Sequence, residues 1–349
     1  MSGLGMETVV SPGRSTMRRG VVWIIVALAL LPACKREAPE RIRVTPVGFY
    51  KLRVTPPFFS QTWVAGVAVS GPYAYVAAMR AGLRVVDVSD PSTPREVGFY
   101  EALTPAHDIA VSGSHAYVAA LKAGLRVVDV SDPSTPREVG FYEAPASAYD
   151  VAVSGPYAYV AALKAGLRVV DVSDPSTPRE VGFYQIPDLI FSKVVVSGQY
   201  AYVITVTEGK KGEIEAVLIL IIDVSNSHSP HKAGSYSSKS KKVYDMDVSG
   251  TYAYVTDPKR LRVIDVSNPS SPREVSTYKV GAPADVIVAG TYAYLTAEWR
   301  LRVLDVSNPA SPREVGSWDL PRGGRVVAVS GTYVYVADRE GLTILQVGP

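Results

Sequence analysis

From Val67 onward, apolar residues fall in short runs separated by polar breaks rich in Gly, Pro, Ser and Asp. One stretch shows the unit. Its runs are Val151–Ser154, Tyr157–Ala161, Leu167–Val172 and Val181–Tyr184, with Ser-Gly, Ala-Gly and Asp-Pro lying between them. Val, Ile and Tyr dominate, and β-branched and aromatic residues bounded by turn residues predict strands. No window of 12 or more residues downstream of residue 34 carries a helical period.

The unit recurs. Leu83-Arg-Val-Val-Asp87-Val-Ser-Asp-Pro91 returns at Leu125–Pro133 and Leu167–Pro175, with weaker copies at Leu218–Ser225, Leu261–Pro269 and Leu301–Pro309. The aligned aspartates Asp87, Asp129, Asp171, Asp223, Asp265 and Asp305 are spaced by 42, 42, 52, 42 and 40 residues. A seventh copy, Leu342–Val347, ends the chain without the Asp. Four strands per period of this length predict a β-propeller blade.

Strand counting sets the number of blades. Runs of the types Val-x-Val-Ser-Gly, Tyr-x-Tyr-Val and Leu-Arg-Val each occur seven times. The Val-Gly-Phe-Tyr run occurs six times after Asp87 and once before it, at Val47–Tyr50. The N-terminus therefore supplies an outer strand that completes the C-terminal blade. The expectation is an all-β, seven-bladed propeller of four-stranded blades over 44–349, closed so that no open end is left. Residues 116–142 are identical to 158–184, and 74–100 differ from both only at Met79 and Arg80. Each repeated Asp is expected to accept bonds from the turn that follows it. The five Arg-Glu pairs of the Arg95-Glu96 type are expected to form a solvated rim of little energetic weight.

The start of the chain departs from this pattern. Met17-Arg-Arg-Gly precedes eleven apolar residues, Val21–Leu31, and then Pro32-Ala33-Cys34. These are the parts of a secretory signal peptide, assigned to 1–34. Eleven helical residues reach about 16 Å, roughly half a bilayer core, too short to span it. Residues 1–16 fit no part of a signal, which makes Met17 a candidate start. Residues 35–43, charged and containing Pro39, read as a tether. Leu31-Pro-Ala-Cys34 resembles the lipobox of bacterial lipoproteins. That resemblance implies acylation of Cys34, a membrane anchor through it, and a place in the cell envelope, at the outer membrane or cell surface.

Composition narrows the functional classes. Among 349 residues, 36 Lys+Arg against 33 Asp+Glu give +3, which excludes a generally basic nucleic-acid binder. One Cys excludes an internal disulfide framework and a zinc site built on several thiolates. Leu-Arg-Val-Val-Asp-Val-Ser, preceded by Tyr-Ala-Tyr-Val, resembles the LVIVD-repeat family of bacterial surface and secreted β-propellers. The resemblance covers roughly 44–349 and implies a surface or interaction protein. No Gly-His and Trp-Asp signature of WD repeats frames the blades.

The differences between copies locate the chemistry. The Ser-Asp-Pro-Ser-Thr-Pro-Arg-Glu turn hardly changes, whereas the blade-to-blade crossovers at 56–63, 103–107, 186–190, 237–242 and 321–325 do. Variable loops on a rigid scaffold usually carry function, so the site is expected on the crossover face. Where crossovers enter the first strands, the aligned residues are Gly66, Asp108, Asp150, Lys193, Asp245, Asp285 and Val326. Four carboxylates ring the channel mouth, interrupted by Lys193. They offer oxygen ligands for a Ca²⁺, or each caps amides of its own crossover. The preceding residues include His107, Tyr149, Tyr244 and Arg325. With Trp63 they are candidate contacts for a protein or a sugar. An insertion around 207–216 brings Lys210 and Lys211, and the next crossover brings Lys239, Lys241 and Lys242, a candidate patch for acidic polysaccharide or lipid headgroups.

No nucleophile elbow, phosphate loop or dinucleotide fingerprint occurs. His228 and His231 make at most a weak metal pair, and His107 with Asp108 is the sole acid–base candidate. The expected function is a non-catalytic binding or scaffold module, monomeric and without a cofactor. Its partner is an envelope protein or polysaccharide, and no nucleic acid. The alternative is a hydrolase or lyase on the same face.

Overall fold

The computed structural model describes residues 41–52, 64–101, 104–209 and 213–348. The signal segment with Cys34, the tether up to residue 40, Trp63, Lys210 and Lys211 lie outside the described residues. Among the described residues, 28 strands form seven antiparallel sheets of four strands each. Six blades read in chain order: 66–100, 108–142, 150–184, 189–237, 245–279 and 283–319. The seventh combines 326–348 with the N-terminal strand Arg43–Lys51, paired from Arg43 opposite Gly348 to Lys51 opposite Gly341. The first strands of successive blades neighbour one another all the way round a central channel. The expected ring of seven, closed by the N-terminal strand, is the observed one.

The blade interior follows from the strand sequences. In blade one the second and third strands, Tyr73–Ala77 and Leu83–Asp87, bury nearly every side chain. Both faces of these strands meet a neighbouring blade, so alternation is lost and apolar runs result. The core therefore sits between blades. One cluster joins Tyr75, Leu83 and Val85 of blade one to Ile109, Val118 and Val128 of blade two. Burying each such Leu or Val contributes roughly 1.5–3 kcal/mol. Adjacent blades also fit backbone to backbone. A Cβ on Gly98 would lie 2.2 Å from the Pro133 carbonyl oxygen of the next blade's turn, so only glycine fits there.

The fourth strand of each repeat is an exposed edge, and it is bulged. Opposite Val85 and Val86 stand Gly98 and Glu96, leaving Val97 unpaired, and the same shift recurs at Val139 and Val181. A bulge twists an edge away from pairing with another chain.

The repeated Asp behaves as its turn predicts. Asp87 Oδ1 accepts from the Ser89 amide at 3.0 Å and the Ser89 hydroxyl at 2.6 Å. Ser89, and after it Arg95, hold the Asp87 carboxyl down to about 2. The Arg-Glu pair does not form one solvated rim. Arg95 is exposed and reaches Asp87 at 2.9 Å. Glu96 instead turns inward, bonded by Arg84 Nη1 of its own blade at 3.4 Å and by the Tyr50 hydroxyl of blade seven. The triplets Tyr100–Glu138–Arg126, Tyr142–Glu180–Arg168, Tyr236–Glu274–Arg262 and Tyr278–Glu314–Arg302 repeat the arrangement. In each, a tyrosine of one blade donates to the glutamate of the next. The glutamate is a joint between blades.

Blade four differs from its neighbours. Its hairpin Tyr200–Glu208 and Ile214–Asp223 is the longest in the ring, which absorbs the 52-residue spacing. Its first strand runs Leu189–Ser197, so Leu189 and Ile190, expected in the crossover, belong to the sheet.

Candidate functional site at the channel mouth

The first strands begin at Asp108, Asp150 and Asp245 in blades two, three and five, and earlier, at Leu189 and Pro283, in blades four and six, where a register shift precedes Lys193 and Asp285. The aligned residues nevertheless converge. They line a cavity of about 380 Å³ at the crossover end of the channel. His107, Tyr149, Tyr244 and Arg325 stand at its mouth, with Asp108, Asp150, Lys193, Asp245 and Asp285 among its lining residues. Of the nine candidate binding residues read from the sequence, eight are brought together here, with Lys193 among them, and Trp63 is outside the described residues.

The aspartates do not cap their own crossovers. Each reaches the neighbouring blade. Asp108 Oδ2 accepts from the Val151 amide at 3.1 Å, and Asp150 Oδ2 from Val194 at 2.7 Å. Asp245 Oδ2 accepts from Val286 at 2.9 Å, and Asp285 Oδ2 from Val327 at 2.6 Å. The partner always lies one residue beyond the aligned position in the next blade, so a common register explains all four. Gly66 ends this series for steric reasons. A Cβ there would stand 2.9 Å from Asp108 Oδ1 and 3.0 Å from its Cα.

Lys193 does not interrupt the ring; it completes it. Its Nζ lies 3.5 Å from Asp150 Oδ1 and 3.2 Å from Asp245 Oδ1, tying blades three, four and five together. The side chain is 29% exposed, reached from the channel. Burial opposes its charge, but Asp150, Asp245, Asp108 and Asp285 together hold the ammonium well above the ordinary lysine range. Burial, with Asp108 adding to it and Lys193 opposing, pushes Asp150 well above the usual carboxylate range. Burial and Asp245 do the same to Asp285. Asp108 stands beside Asp150 and Asp245 beside Asp285, and each neighbouring carboxylate adds to the rise. The arc is thus two aspartate pairs with an ammonium between them.

This arrangement bears on a metal. One oxygen of each aspartate is engaged by an amide, and the ammonium stands between Asp150 and Asp245. Among the described residues, no group of three or more His, Cys, Asp or Glu is placed to hold a metal ion. An ammonium, that of Lys193, stands against two of the four aspartates, at 3.5 and 3.2 Å.

At the rim, His107 Nδ1 lies 2.7 Å from the Tyr149 carbonyl, so Nδ1 carries the proton and donates. The two rings are 4.0 Å apart and tilted by 39°. Burial, only partly offset by that bond, holds His107 below the ordinary imidazole value and favours its neutral form. Asp108 bonds Val151 and not His107, so no hydrogen bond joins the sole acid–base candidate. Tyr244 is half-exposed beside them. Lys239, Lys241 and Lys242 are exposed on the segment entering blade five. His228 and His231 bond to their own turn, at Ser227 and Ser229, and not to each other.

Sequence reasoning missed Asp247, one strand pleat below Asp245. It accepts from the Val288 amide at 2.7 Å and from Val248 at 2.8 Å. Burial pushes its carboxyl up to about 6. The alternation Asp245, Asp247 on one strand face was the available signal.

Comparison with known proteins agrees with this architecture. The family model described as LVIVD repeat matches residues 64–102, 105–144, 145–186, 191–209, 216–238, 241–280, 281–320 and 322–347. The fold is similar to the crystal structure of the computationally designed Ika8 protein. There the TM-score is 0.61 and the identity 9%, covering 86% of this chain and 99% of that one. It is also similar to BamB from Moraxella catarrhalis, with a TM-score of 0.56 and 11% identity over 81% of this chain and 83% of that one. Identities this low speak for the fold alone. No curated protein matches the sequence.

Proposed function

This chain belongs to the LVIVD-repeat family, and we propose that it is a non-catalytic binding or scaffold module of the cell envelope. Its ligand, a protein or a glycan, is held at the channel mouth on the crossover face, and Cys34 carries the lipid that anchors the chain. The observation behind this reading is the cavity itself. It gathers the residues in which the blades differ, and sets a His–Tyr ring pair, Tyr244 and Arg325 around a rigid charged arc. Aromatic and Arg side chains fixed on a scaffold are the usual anchors of binding surfaces. The separation of His107 from Asp108 in hydrogen bonding supports recognition over acid–base work.

Capture from solubilised envelope tests the proposal, with the full chain as bait. A second bait carries His107→Ala, Tyr149→Ala, Tyr244→Ala and Arg325→Ala. The expected result is a partner retained by the first bait and lost by the second, with both melting cooperatively. A partner held equally by both baits removes the site from the mouth. Turnover of an envelope polymer that disappears with His107→Ala and Asp108→Ala would favour a hydrolase or lyase instead.

A further inference from the structure

The outer strands carry a feature that the fold does not require. Phe99, Phe141 and Phe183 are 49%, 50% and 54% exposed. Each lies under an arginine of its own blade, with Arg84, Arg126 and Arg168 at 4.8, 4.7 and 4.6 Å from the ring centroids. Phe49 of blade seven is partly buried and lies under Arg322 of the preceding crossover, at 4.2 Å. In blades five and six the residues opposite the equivalent Arg262 and Arg302 are Thr277 and Ser317, and blade four has Ser235. Arg262 and Arg302 still hold their glutamates there. The fold is thus built equally well without the aromatic ring. Blades one, two and three nevertheless present it, half-exposed and with a guanidinium over the ring.

Beside Phe141 runs a cleft of about 870 Å³ between the outer strand of blade two and the turn of blade three. Asp171, Asp174, Ser176, Thr177 and Arg179 line it. Charges in it are matched internally: Glu138 by Arg126, Asp171 by Arg179, and Asp174 by the Ser176 and Thr177 hydroxyls. Phe99 faces a turn of identical sequence, Ser131–Glu138, and Phe49 faces Ser89–Glu96. The same surface therefore recurs at successive blade steps.

We propose that these equivalent clefts on the circumference, at Phe99 and Phe141, bind units of one neutral, repeating polysaccharide. A pyranose has an apolar face to stack on a fixed aromatic ring and hydroxyls to meet carboxylate and hydroxyl groups. A cleft without an unmatched cation does not select an acidic polymer. The bulge at Val139 breaks the edge that an extended peptide strand would extend. A row of equivalent clefts converts weak contacts into avidity for a polymer.

The test uses the full chain and three series of oligomers, from two to twelve units: β-1,4-linked glucose, β-1,4-linked N-acetylglucosamine and α-linked mannose. One series is expected to bind, with affinity rising about 10-fold or more once an oligomer spans two clefts. Phe99→Ser with Phe141→Ser installs the residue that blades four and six carry, so the thermal melt is expected to hold. That variant should weaken the longest oligomer by about 10- to 100-fold. Lys232→Ala, at an exposed position on the outer strand of blade four, should leave it unchanged. The proposal is overturned if no series binds, if affinity does not depend on length, or if the double Phe variant binds as tightly. Preferential binding of a proline-rich peptide by the Phe row would overturn it in favour of a peptide site.

Discussion

The blades are joined twice, once around the channel and once near the circumference, and the two joints are built differently. The outer joint is one device repeated, a tyrosine of one blade donating to an Arg-held glutamate of the next. The inner joint is irregular: four aspartates reach the next blade's amides, and Lys193 bridges two of them. Repetition is what a fold built by duplication gives when only packing is at stake. Departure from it, concentrated at one mouth, is where this chain invests buried charge. Removing one partner from a buried ionic cluster is costly, whereas exposed pairs contribute little. The two joints should therefore respond very differently to substitution.

The largest effect is expected at Lys193. Lys193→Met leaves Asp150 and Asp245 without the ammonium between them, a loss of about 3 kcal/mol or more in urea unfolding. A loss under about 1 kcal/mol would mean that the inner joint is not an ionic cluster. Next is pH. An Asp titrates near 3.9 when unfolded, and Asp247 is raised to about 6 in the fold. Its contribution is full below pH 4 and is lost as pH rises toward 6, by about 2–3 kcal/mol. Buried Asp150 and Asp285, also raised, act with the same sign. Asp247→Asn should flatten that interval of the stability–pH curve, and an unchanged slope would remove Asp247 as its source. The smallest effects separate two adjacent outer residues. Glu138→Ala leaves Tyr100 and Arg126 without their acceptor, at about 1–3 kcal/mol. Arg137→Ala, in an exposed pair with Asp129, should cost less than about 0.5 kcal/mol. Equal losses at the two positions would contradict the assignment of Glu138 as the joint.

The blade count, the ring closure and the strands of blade three were legible because strand composition and turn residues repeat locally. Leu189 was hidden by Pro187-Asp188, which reads as loop although the strand begins just beyond it. The entry residues could be aligned to one level, and they do line one cavity. Their partners could not be read. Asp150 bonds a residue 44 positions away, and Glu96 one 46 positions away. Such bonds depend on blade-to-blade register, whereas sequence reasoning assigns a polar side chain to its nearest turn. Lys193 was misjudged for the same reason, since both of its carboxylates belong to other blades. The exposed Phe row was overlooked because Val-Gly-Phe-Tyr reads as a strand whichever way the ring points.

The most direct measurement is hydrogen–deuterium exchange of the free chain against its captured complex. The account predicts slowed exchange in the crossover segments 104–108, 147–150, 242–245 and 322–326. Slowing confined to the turns at 267–273 and 307–313 on the opposite face, with the crossovers unchanged, would contradict it.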